Sequence, residues 1–257
     1  GRRNITGVFQ HWDGIDRDWN PGGIWRDVTV HDTGPVRVDR FRVLCRDADE
    51  VRAHVLLSAR LDSDGPRVVT LQTKVDGVVL FENERRLAAG LNEVNWNLDI
   101  ADPKLWWPRA LGGQPLTRIG VDVNVGGELS DAAERRTGLR VVAWNDWRCS
   151  VNGEQMFLKG ANLLPTCAGL ADATVEEMRR DIELAVEAGF DALRVHGHIA
   201  APTTYDTADE LGVLLLQDFP LQWGYARSIR SQAVAQAHSA VDELGHHPSI
   251  VQWNAHN

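Results

Sequence analysis

The sequence predicts a multidomain protein of the β plus α/β class, in which a β-sandwich precedes a parallel barrel sheet. Two observations lead to this prediction. Short strand-like segments separated by turn signals fill residues 34–144, without helical periodicity. From about residue 148 onward, continuous apolar strands alternate with amphipathic helices, which is typical of a parallel sheet with crossover helices.

The first region contains seven strand-like runs, separated by turn signals such as Asp76-Gly77 and Gly126-Gly127. Residues 54–61 alternate with period two, which indicates a strand with one buried face. Many short strands with regular turn signals predict an immunoglobulin-like β-sandwich. The strands are expected at residues 36–44, 51–61, 68–75, 78–82, 92–100, 116–125 and 138–144.

The second region opens with a hairpin around Asn152-Gly153, a strong two-residue turn signal. Thr174 and Glu177 form a capping box that begins a helix, and Gly189 is expected to end it. Strands are predicted at 157–161, 192–195, 213–216 and from Ser249 onward, and further helices at 204–211 and 234–244. No Gly-rich phosphate loop follows the first strand, so half of an eight-stranded barrel fits better than an open doubly wound sheet.

Composition narrows the function classes. The 257-residue chain has a net charge of −9 with both signs mixed along it, which argues against a nucleic-acid partner. No apolar run approaches the ~20 residues of a membrane span, so no membrane partner is expected. Three widely spaced cysteines (Cys45, Cys149 and Cys167) give neither a disulfide framework nor metal-ligand spacing. No cofactor is expected.

Polar side chains follow the predicted barrel strands, where barrels gather their ligand-binding groups. Arg194, His196 and His198 share one face of the second strand by period-two alternation. Asp218 ends the third strand, with Trp223 shortly after it, and the fourth strand ends in Trp253, Asn254, His256 and Asn257. The chain also contains ten tryptophans against two tyrosines. Because indole faces stack on sugar C–H surfaces as well as in cores, this set suits a polyhydroxylated ligand with an apolar face.

Alternative roles remain open for the two histidines. His196 and His198 could contact a sugar, or they could form structural hydrogen bonds. They could also hold a metal ion, as in metal-dependent barrel hydrolases, if Asp218 or His256 completed the ligand set. We expect no metal site.

Several motifs together resemble glycoside hydrolase family 2. They are Asn20-Pro-Gly-Gly-Ile-Trp-Arg26, Leu105-Trp-Trp-Pro108, Phe157-Leu-Lys-Gly-Ala-Asn162, Leu193-Arg-Val195, Asp218-Phe219 and His247-Pro-Ser-Ile-Val251. The resemblance covers essentially the whole chain. It implies the end of a jelly-roll β-sandwich at 1–32, an immunoglobulin-like β-sandwich at 33–145, and the first half of a (β/α)8 TIM barrel at 146–257.

The resemblance also implies a mechanism and a set of site residues. In the family, an acid/base Glu directly follows an Asn at the end of the fourth barrel strand, and Asn257 matches that Asn. Both catalytic Glu residues of a retaining mechanism are therefore expected beyond residue 257, which would make this chain an inactive fragment with no catalytic residue of its own. The substrate-binding residues expected within it are Asp13, Arg194, His196, Asp218, Trp223 and Asn257.

The sugar specificity implied by the resemblance is of the β-mannosidase type. Trp12-Asp13 and Asp218-Phe219 look most like β-mannosidases, and the partner would be a β-linked oligosaccharide or glycoside. His196-Gly-His198 departs from the Trp-Gly-Gly of that pattern. A β-galactosidase, β-glucuronidase or exo-glucosaminidase specificity therefore stays open. So does a non-catalytic carbohydrate-binding member of the family.

Overall fold

The structure, a computed structural model, describes residues 5–10, 23–222 and 225–257. An all-β part is followed by an α/β part. The predictions made for Trp12, Asp13 and Trp223 concern residues outside these ranges. Among the residues that the structure describes, none of the helices has both the length and the apolar character needed to cross a membrane.

Seven antiparallel strands build a β-sandwich of two sheets. One sheet has the order β1-β2-β5 and the other β4-β3-β6-β7. The strands are β1 (Val36–Ala48), β2 (Arg52–Ser63), β3 (Arg67–Val75), β4 (Val78–Leu87), β5 (Gly90–Ala101), β6 (Thr117–Val125) and β7 (Glu128–Thr137). The predicted sandwich strands are therefore present as far as β6, mostly extended by a few residues.

Period-two alternation explains why these strands pack as a sandwich. In β2, Ala53, Val55, Leu57, Ala59 and Leu61 are at most 1% exposed, while the residues between them are more accessible. Inward side chains from both sheets join one apolar cluster. Burying a side chain such as Leu57 contributes about 1.5–3 kcal/mol, so this core stabilises the packing of the two sheets.

The seventh strand is not where the sequence predicted it. We expected a strand at 138–144, but β7 spans Glu128–Thr137, and β8 (Val142–Asn145) belongs to a separate small sheet. The inward positions of β7 include the small polar side chains Ser130 and Thr137. Ser130 Oγ accepts from Val36 N at 2.9 Å and donates to Val36 O at 2.7 Å, which satisfies the polar group inside.

A short hairpin leads into the second region, as the Asn152-Gly153 turn predicted. β9 (Arg148–Val151) pairs with β10 (Glu154–Met156) and with β8. Both turn residues have positive φ, 50° at Asn152 and 87° at Gly153, as a two-residue turn matched to strand twist requires.

Four parallel strands form the α/β part in consecutive order. They are β11 (Gly160–Leu163), β12 (Ala192–Val195), β13 (Leu214–Asp218) and β14 (Ile250–Asn254), in the order β11-β12-β13-β14. Helices α1 (Val175–Glu187), α2 (Pro202–Leu211) and α3 (Arg230–Leu244) connect them. Consecutive order with crossover helices is the arrangement of a barrel wall, whereas a doubly wound sheet reverses its order at a switch point.

Local signals in the second region behave as predicted, except at the first strand. Thr174 caps α1 in a complete capping box, and Gly212 ends α2 in the left-handed conformation. The first strand was expected at 157–161 but begins at Gly160, and Phe157 is 84% exposed. A Cβ on Gly160 would lie 2.2 Å from Ala192 O, so close approach of the two strands fixes the start of pairing.

The sandwich and the parallel sheet share a junction around Trp106. Its side chain is fully buried, and its Nε1 donates to Asp209 O at 2.9 Å. Trp106 clusters with apolar side chains of the hairpin and of three parallel strands: Cys149, Val151, Ala192, Leu214 and Val251. Arg136 forms ion pairs with Asp206 and Glu210 of α2 across the same junction. The base of the parallel sheet is therefore held against the sandwich.

Candidate functional site

The candidate site lies at the C-terminal ends of β12, β13 and β14. Arg194 on β12 reaches over to Asp218, the last residue of β13, and Asn254, the last residue of β14, lies opposite Asp218 in the parallel register. Leu193 and Val195, which alternate with Arg194, pack on the helix side of the sheet. The polar side chains therefore share the other face at one rim.

Asp218 is the centre of a dense hydrogen-bond network. Its carboxylate is fully buried and accepts from Arg194 Nε (3.0 Å, Oδ1) and Arg194 Nη2 (2.7 Å, Oδ2). Asn254 Nδ2 donates to Oδ1 at 2.7 Å, and Gly197 N donates to Oδ2 at 3.1 Å. A buried carboxylate is costly unless it is paired and hydrogen-bonded, and here both oxygens have two protein donors each.

Arg194 also binds the last residue of the chain. Its Nη2 donates to Asn257 Oδ1 at 2.6 Å, while Asn257 N donates to Leu221 O at 2.9 Å. The guanidinium therefore bridges a buried carboxylate and an exposed amide at the rim. Because Arg194 occupies the Oδ1 acceptor, it is the Nδ2 group of Asn257 that can donate to a ligand hydroxyl.

His196 and His198 do not share the environment that alternation predicted. His196 Nδ1 lies 3.5 Å from Asp218 Oδ2, on the same side as Arg194. His198 instead lines a cavity on the helix side, beside Met178 and Thr204, and its Nδ1 pairs with His196 O at 3.0 Å. β12 ends at Val195, and Gly197 has a φ of 61°, so period-two alternation stops before His198.

Burial dominates the chemistry of His198. Removal of the ring from water is the main reason that the pKa of His198 falls to about 4, and the charge of the neighbouring His196 acts in the same direction. The hydrogen bond to His196 O and the charge of Asp218 oppose this shift. His198 is therefore a neutral side chain at pH 7, with its Nδ1–H donating to a backbone carbonyl.

One cluster of possible metal ligands lies away from the rim. Among residues 5–10, 23–222 and 225–257, the group within reach of one ion is Asp206, Asp209 and His247, and it includes neither His196 nor His198. Asp209 accepts from His247 Nδ1 at 2.6 Å and from Ser249 N at 3.0 Å. These bonds already satisfy its oxygens and tie α2 to the start of β14.

A segment near the N-terminus approaches the rim. The short 3-10 helix Gly7–Gln10 lies against the β12 end, where Val8 N donates to Gly197 O at 2.8 Å. Gly7 has a φ of 54°, and a Cβ there would lie 1.9 Å from Gly197 O. Only a glycine allows this approach, which brings the N-terminal region of the chain to the site.

The structure brings together four of the six predicted substrate-binding residues: Arg194, His196, Asp218 and Asn257. The other two, Asp13 and Trp223, lie outside the described ranges. Sequence reasoning placed Asn254 at the end of its strand but left it out of the binding set, and it missed Gly197 N altogether. The signal for Asn254 was available, because it ends β14 as Asp218 ends β13.

The fold and the site together define a class of β plus α/β proteins, in which a β-sandwich is joined to a parallel sheet with a polar rim. The sequence model of the family described as Glycosyl hydrolases family 2 matches residues 36–140. The chain is 29% identical to the exo-beta-D-glucosaminidase of Streptomyces avermitilis over 98% of its own length and 30% of that protein. It is also 29% identical to beta-mannosidase B of Neosartorya fischeri, over all of this chain and 32% of that protein.

A solved structure agrees with both comparisons. The crystal structure of beta-D-mannosidase from Dictyoglomus thermophilum superposes with a TM-score of 0.83 at 27% identity, over 96% of this chain and 33% of that one. Residues 36–140 are therefore a glycoside hydrolase family 2 domain by their sequence, and the relatives of the chain are beta-mannosidases and exo-glucosaminidases. It spans about a third of the length of the curated relatives that it matches over most of its length.

Proposed function

We propose that this chain is part of a retaining, exo-acting β-glycosidase of the β-mannosidase type, which hydrolyses terminal β-linked sugars. In this proposal residues 1–32 end a jelly roll, residues 33–145 are an immunoglobulin-like sandwich, and residues 146–257 are the first half of a (β/α)8 catalytic barrel. The similarity to a fungal β-mannosidase and to a bacterial β-mannosidase structure supports this assignment.

The observation that carries the proposal is the Arg194–Asp218 pair with Asn254 and Asn257 attached to it. Arg194, Asp218 and Asn254 come from three neighbouring strands, and Asn257 follows the last of them. All four side chains are held by hydrogen bonds of 2.6–3.0 Å. Donors fixed in advance stabilise charge that develops in a transition state without reorganising at the moment of reaction. Such a rim is suited to hold a terminal sugar in one orientation.

We assign roles within this rim as follows. Asn257 Nδ2 donates to the sugar hydroxyl next to the anomeric carbon, and Arg194 steadies the catalytic acids from below. Asp218 holds Arg194 and Asn254 in position, because its buried carboxylate already accepts from four protein donors. His196, Asp13 and Trp223 complete the binding surface. Two catalytic Glu residues beyond residue 257 supply acid/base and nucleophile at roughly 5–5.5 Å, as retaining hydrolysis requires.

An exo-glucosaminidase specificity is the second candidate. The exo-glucosaminidase of S. avermitilis resembles 98% of this chain at 29% identity. His196-Gly-His198 stands where the β-mannosidase pattern has Trp-Gly-Gly, so a stacking indole of that pattern is replaced by an imidazole. Both observations favour a sugar other than mannose at this position of the rim.

A panel of aryl β-glycosides tests the function. The complete gene product is assayed with 4-nitrophenyl β-mannoside, β-glucosaminide, β-galactoside and β-glucuronide. The proposal predicts the highest kcat/KM for the mannoside, and no turnover of any of the four by the 257-residue chain alone. A higher kcat/KM for the glucosaminide would replace the first specificity by the second. No hydrolysis by the complete gene product, with sugar binding retained, would identify a non-catalytic member.

A further inference from the structure

Arg140 lies between the sandwich and the parallel sheet, in the segment that joins β7 to β8. Its Nε donates to Pro248 O at 2.9 Å and its Nη2 donates to Ile250 O at 2.8 Å. The side chain is partly buried, and no carboxylate of the described residues forms an ion pair with it. The guanidinium therefore donates to backbone carbonyls at the beginning of β14.

These two carbonyls lie at the start of β14, one in the preceding turn and one in the first residue of the strand. Ser249 O accepts from Leu215 N of β13 at 2.7 Å. Pro248 and Ser249 lie in the turn that precedes β14, so Arg140 bonds the carbonyls on either side of the residue that accepts from β13. Backbone carbonyls need hydrogen-bond donors, and the Arg140 fork supplies one donor to each of these two carbonyls.

A second sandwich-side donor reinforces this contact. Trp144 Nε1 donates to Val251 O at 3.0 Å, next to the bulge at which the pairing of β13 with β14 shifts by one residue. Three carbonyls at the base of β14 are therefore held by side chains that precede the barrel sheet in the chain.

The C-terminal end of β14 lies at the rim of the candidate site. Asn254 ends β14 and donates to Asp218, and Asn254 O accepts from Phe219 N at 2.8 Å. Ile250 and Asn254 are four residues apart, or about 13 Å along a strand that rises about 3.3 Å per residue. A slip of β14 by one residue against β13 would carry Asn254 to the opposite face of the sheet, away from Asp218.

We propose that Arg140 is a positioning residue, which fixes where β14 lies along its own axis relative to β13. This position places Asn254 against Asp218 and Asn257 against Arg194. The planar fork bonds two carbonyls in one fixed geometry, whereas a lysine ammonium is a point charge on a flexible stem. The effect on catalysis rests on the proposed glycosidase function, but the effect on β14 does not.

Hydrogen exchange of the 257-residue chain tests the part of the proposal that concerns the position of β14. Arg140→Lys keeps the charge and loses the fork. Arg136→Lys is the matched control, because Arg136 crosses the same junction but pairs with carboxylates of α2. We expect the Phe219 amide to exchange at least about 10-fold faster in Arg140→Lys, relative to amides of β2, and to be unchanged in Arg136→Lys. Equal exchange of Phe219 in wild type and Arg140→Lys would overturn the proposal.

Trp144→Phe keeps the test decisive if Arg140→Lys does not fold. It removes a single donor from β14 and retains an aromatic ring. Faster exchange at Phe219 in this variant is expected, by a smaller factor than for loss of the fork. Unchanged exchange would mean that the base of β14 does not set its upper end.

Kinetics of the complete gene product test the part of the proposal that concerns catalysis. Arg140→Lys should lower kcat by about 10–100-fold with KM within about 3-fold of wild type, since misplacement by about 1 Å costs on the order of 100-fold. Arg136→Lys should keep both constants. A rise in KM at unchanged kcat would contradict positioning. A wild-type gene product without glycosidase activity would refute the proposed function and leave the exchange result as the test of Arg140.

Discussion

Arg194 and Asp218 form a two-point ion pair across neighbouring parallel strands, with Nε–Oδ1 at 3.0 Å and Nη2–Oδ2 at 2.7 Å. The planar fork of a guanidinium matches a carboxylate in this way, and the pair fixes both side chains. The carboxylate of Asp218 has no exposed surface, while 29% of the Arg194 side chain is exposed. The pair therefore joins the interior of the sheet to the surface of the rim.

Removal of the charge of Asp218 should destabilise the chain. Asp218→Asn leaves Arg194 without its partner and places an amide donor against other donors. Breaking a buried pair on one side costs about 2–4 kcal/mol when one partner is partly solvated. Urea unfolding of the 257-residue chain at pH 7 measures this loss in the free energy of unfolding. Asp64→Asn, which breaks an exposed pair with Arg67, should leave the midpoint unchanged. Equal midpoints for the two variants would refute the role of the pair.

Asn257 should matter most in the transition state. Asn257→Ala in the complete gene product is expected to lower kcat by about 10–1,000-fold, with a smaller change in KM, because contacts that strengthen at the transition state raise kcat. Steady-state kinetics with the preferred aryl glycoside measure both constants. The exposed Asn97 of β5 offers a matched control, and Asn97→Ala should be silent. A pure KM effect for Asn257→Ala would instead indicate ground-state binding.

Acid should destabilise the chain through His198. Burial lowers its pKa to about 4, below the ordinary 6.5, so the unfolded state binds more protons between these values. The stability is complete above pH 6.5 and is lost as the pH falls toward 4, by on the order of 3 kcal/mol at 1.36 kcal/mol per unit. His246, whose pKa burial lowers to about 3, adds to the same slope.

The contribution of His198 can be isolated by substitution. His198→Asn keeps a donor near His196 O but cannot titrate in this range, so unfolding at pH 7.5 and at pH 5 should differ less than in wild type. The exposed His238 of α3 provides the control, and His238→Asn should preserve the wild-type difference. Parallel pH profiles for wild type and His198→Asn would show that another group governs the acid transition.

Gly197 should tolerate no side chain. Its φ is 61°, and a Cβ would lie 2.1 Å from Gln222 Nε2. Gly197→Ala should therefore lower the free energy of unfolding by about 1–3 kcal/mol. Gly65 has open space around its Cβ position, so Gly65→Ala should be neutral or stabilising by up to about 1 kcal/mol. Thermal unfolding of both variants measures the change in the free energy of unfolding. Similar losses in the two variants would argue against a tight turn at Gly197.

Local signals predicted much of the α/β part. The strand at 192–195 was predicted with the bounds that the structure shows, and the capping box at Thr174 and the turn at Asn152 formed as expected. These features depend on neighbouring residues only, so the sequence contains their cause. β7 was missed because Ser130 and Thr137 stand at inward positions, and their burial depends on a partner, Val36, that lies 94 residues away for Ser130.

The site was predictable in its residues but less so in its contacts. Strand ends indicated Arg194, Asp218 and Asn257, because parallel strands meet at one rim. The four donors of Asp218 were not visible, since they follow from the register of three strands and from the left-handed turn at Gly197. The same turn directs His198 away from the rim, because alternation predicts the face of a side chain only while the strand continues.

The stereochemistry of hydrolysis tests the central claim most directly. Proton NMR of the complete gene product with its preferred aryl β-glycoside records which anomer of the released sugar appears first. Double displacement predicts the β-anomer first, followed by slow mutarotation to the equilibrium mixture. The α-anomer as the first product, or no release of sugar at all, would contradict the assignment of this rim to a retaining β-glycosidase.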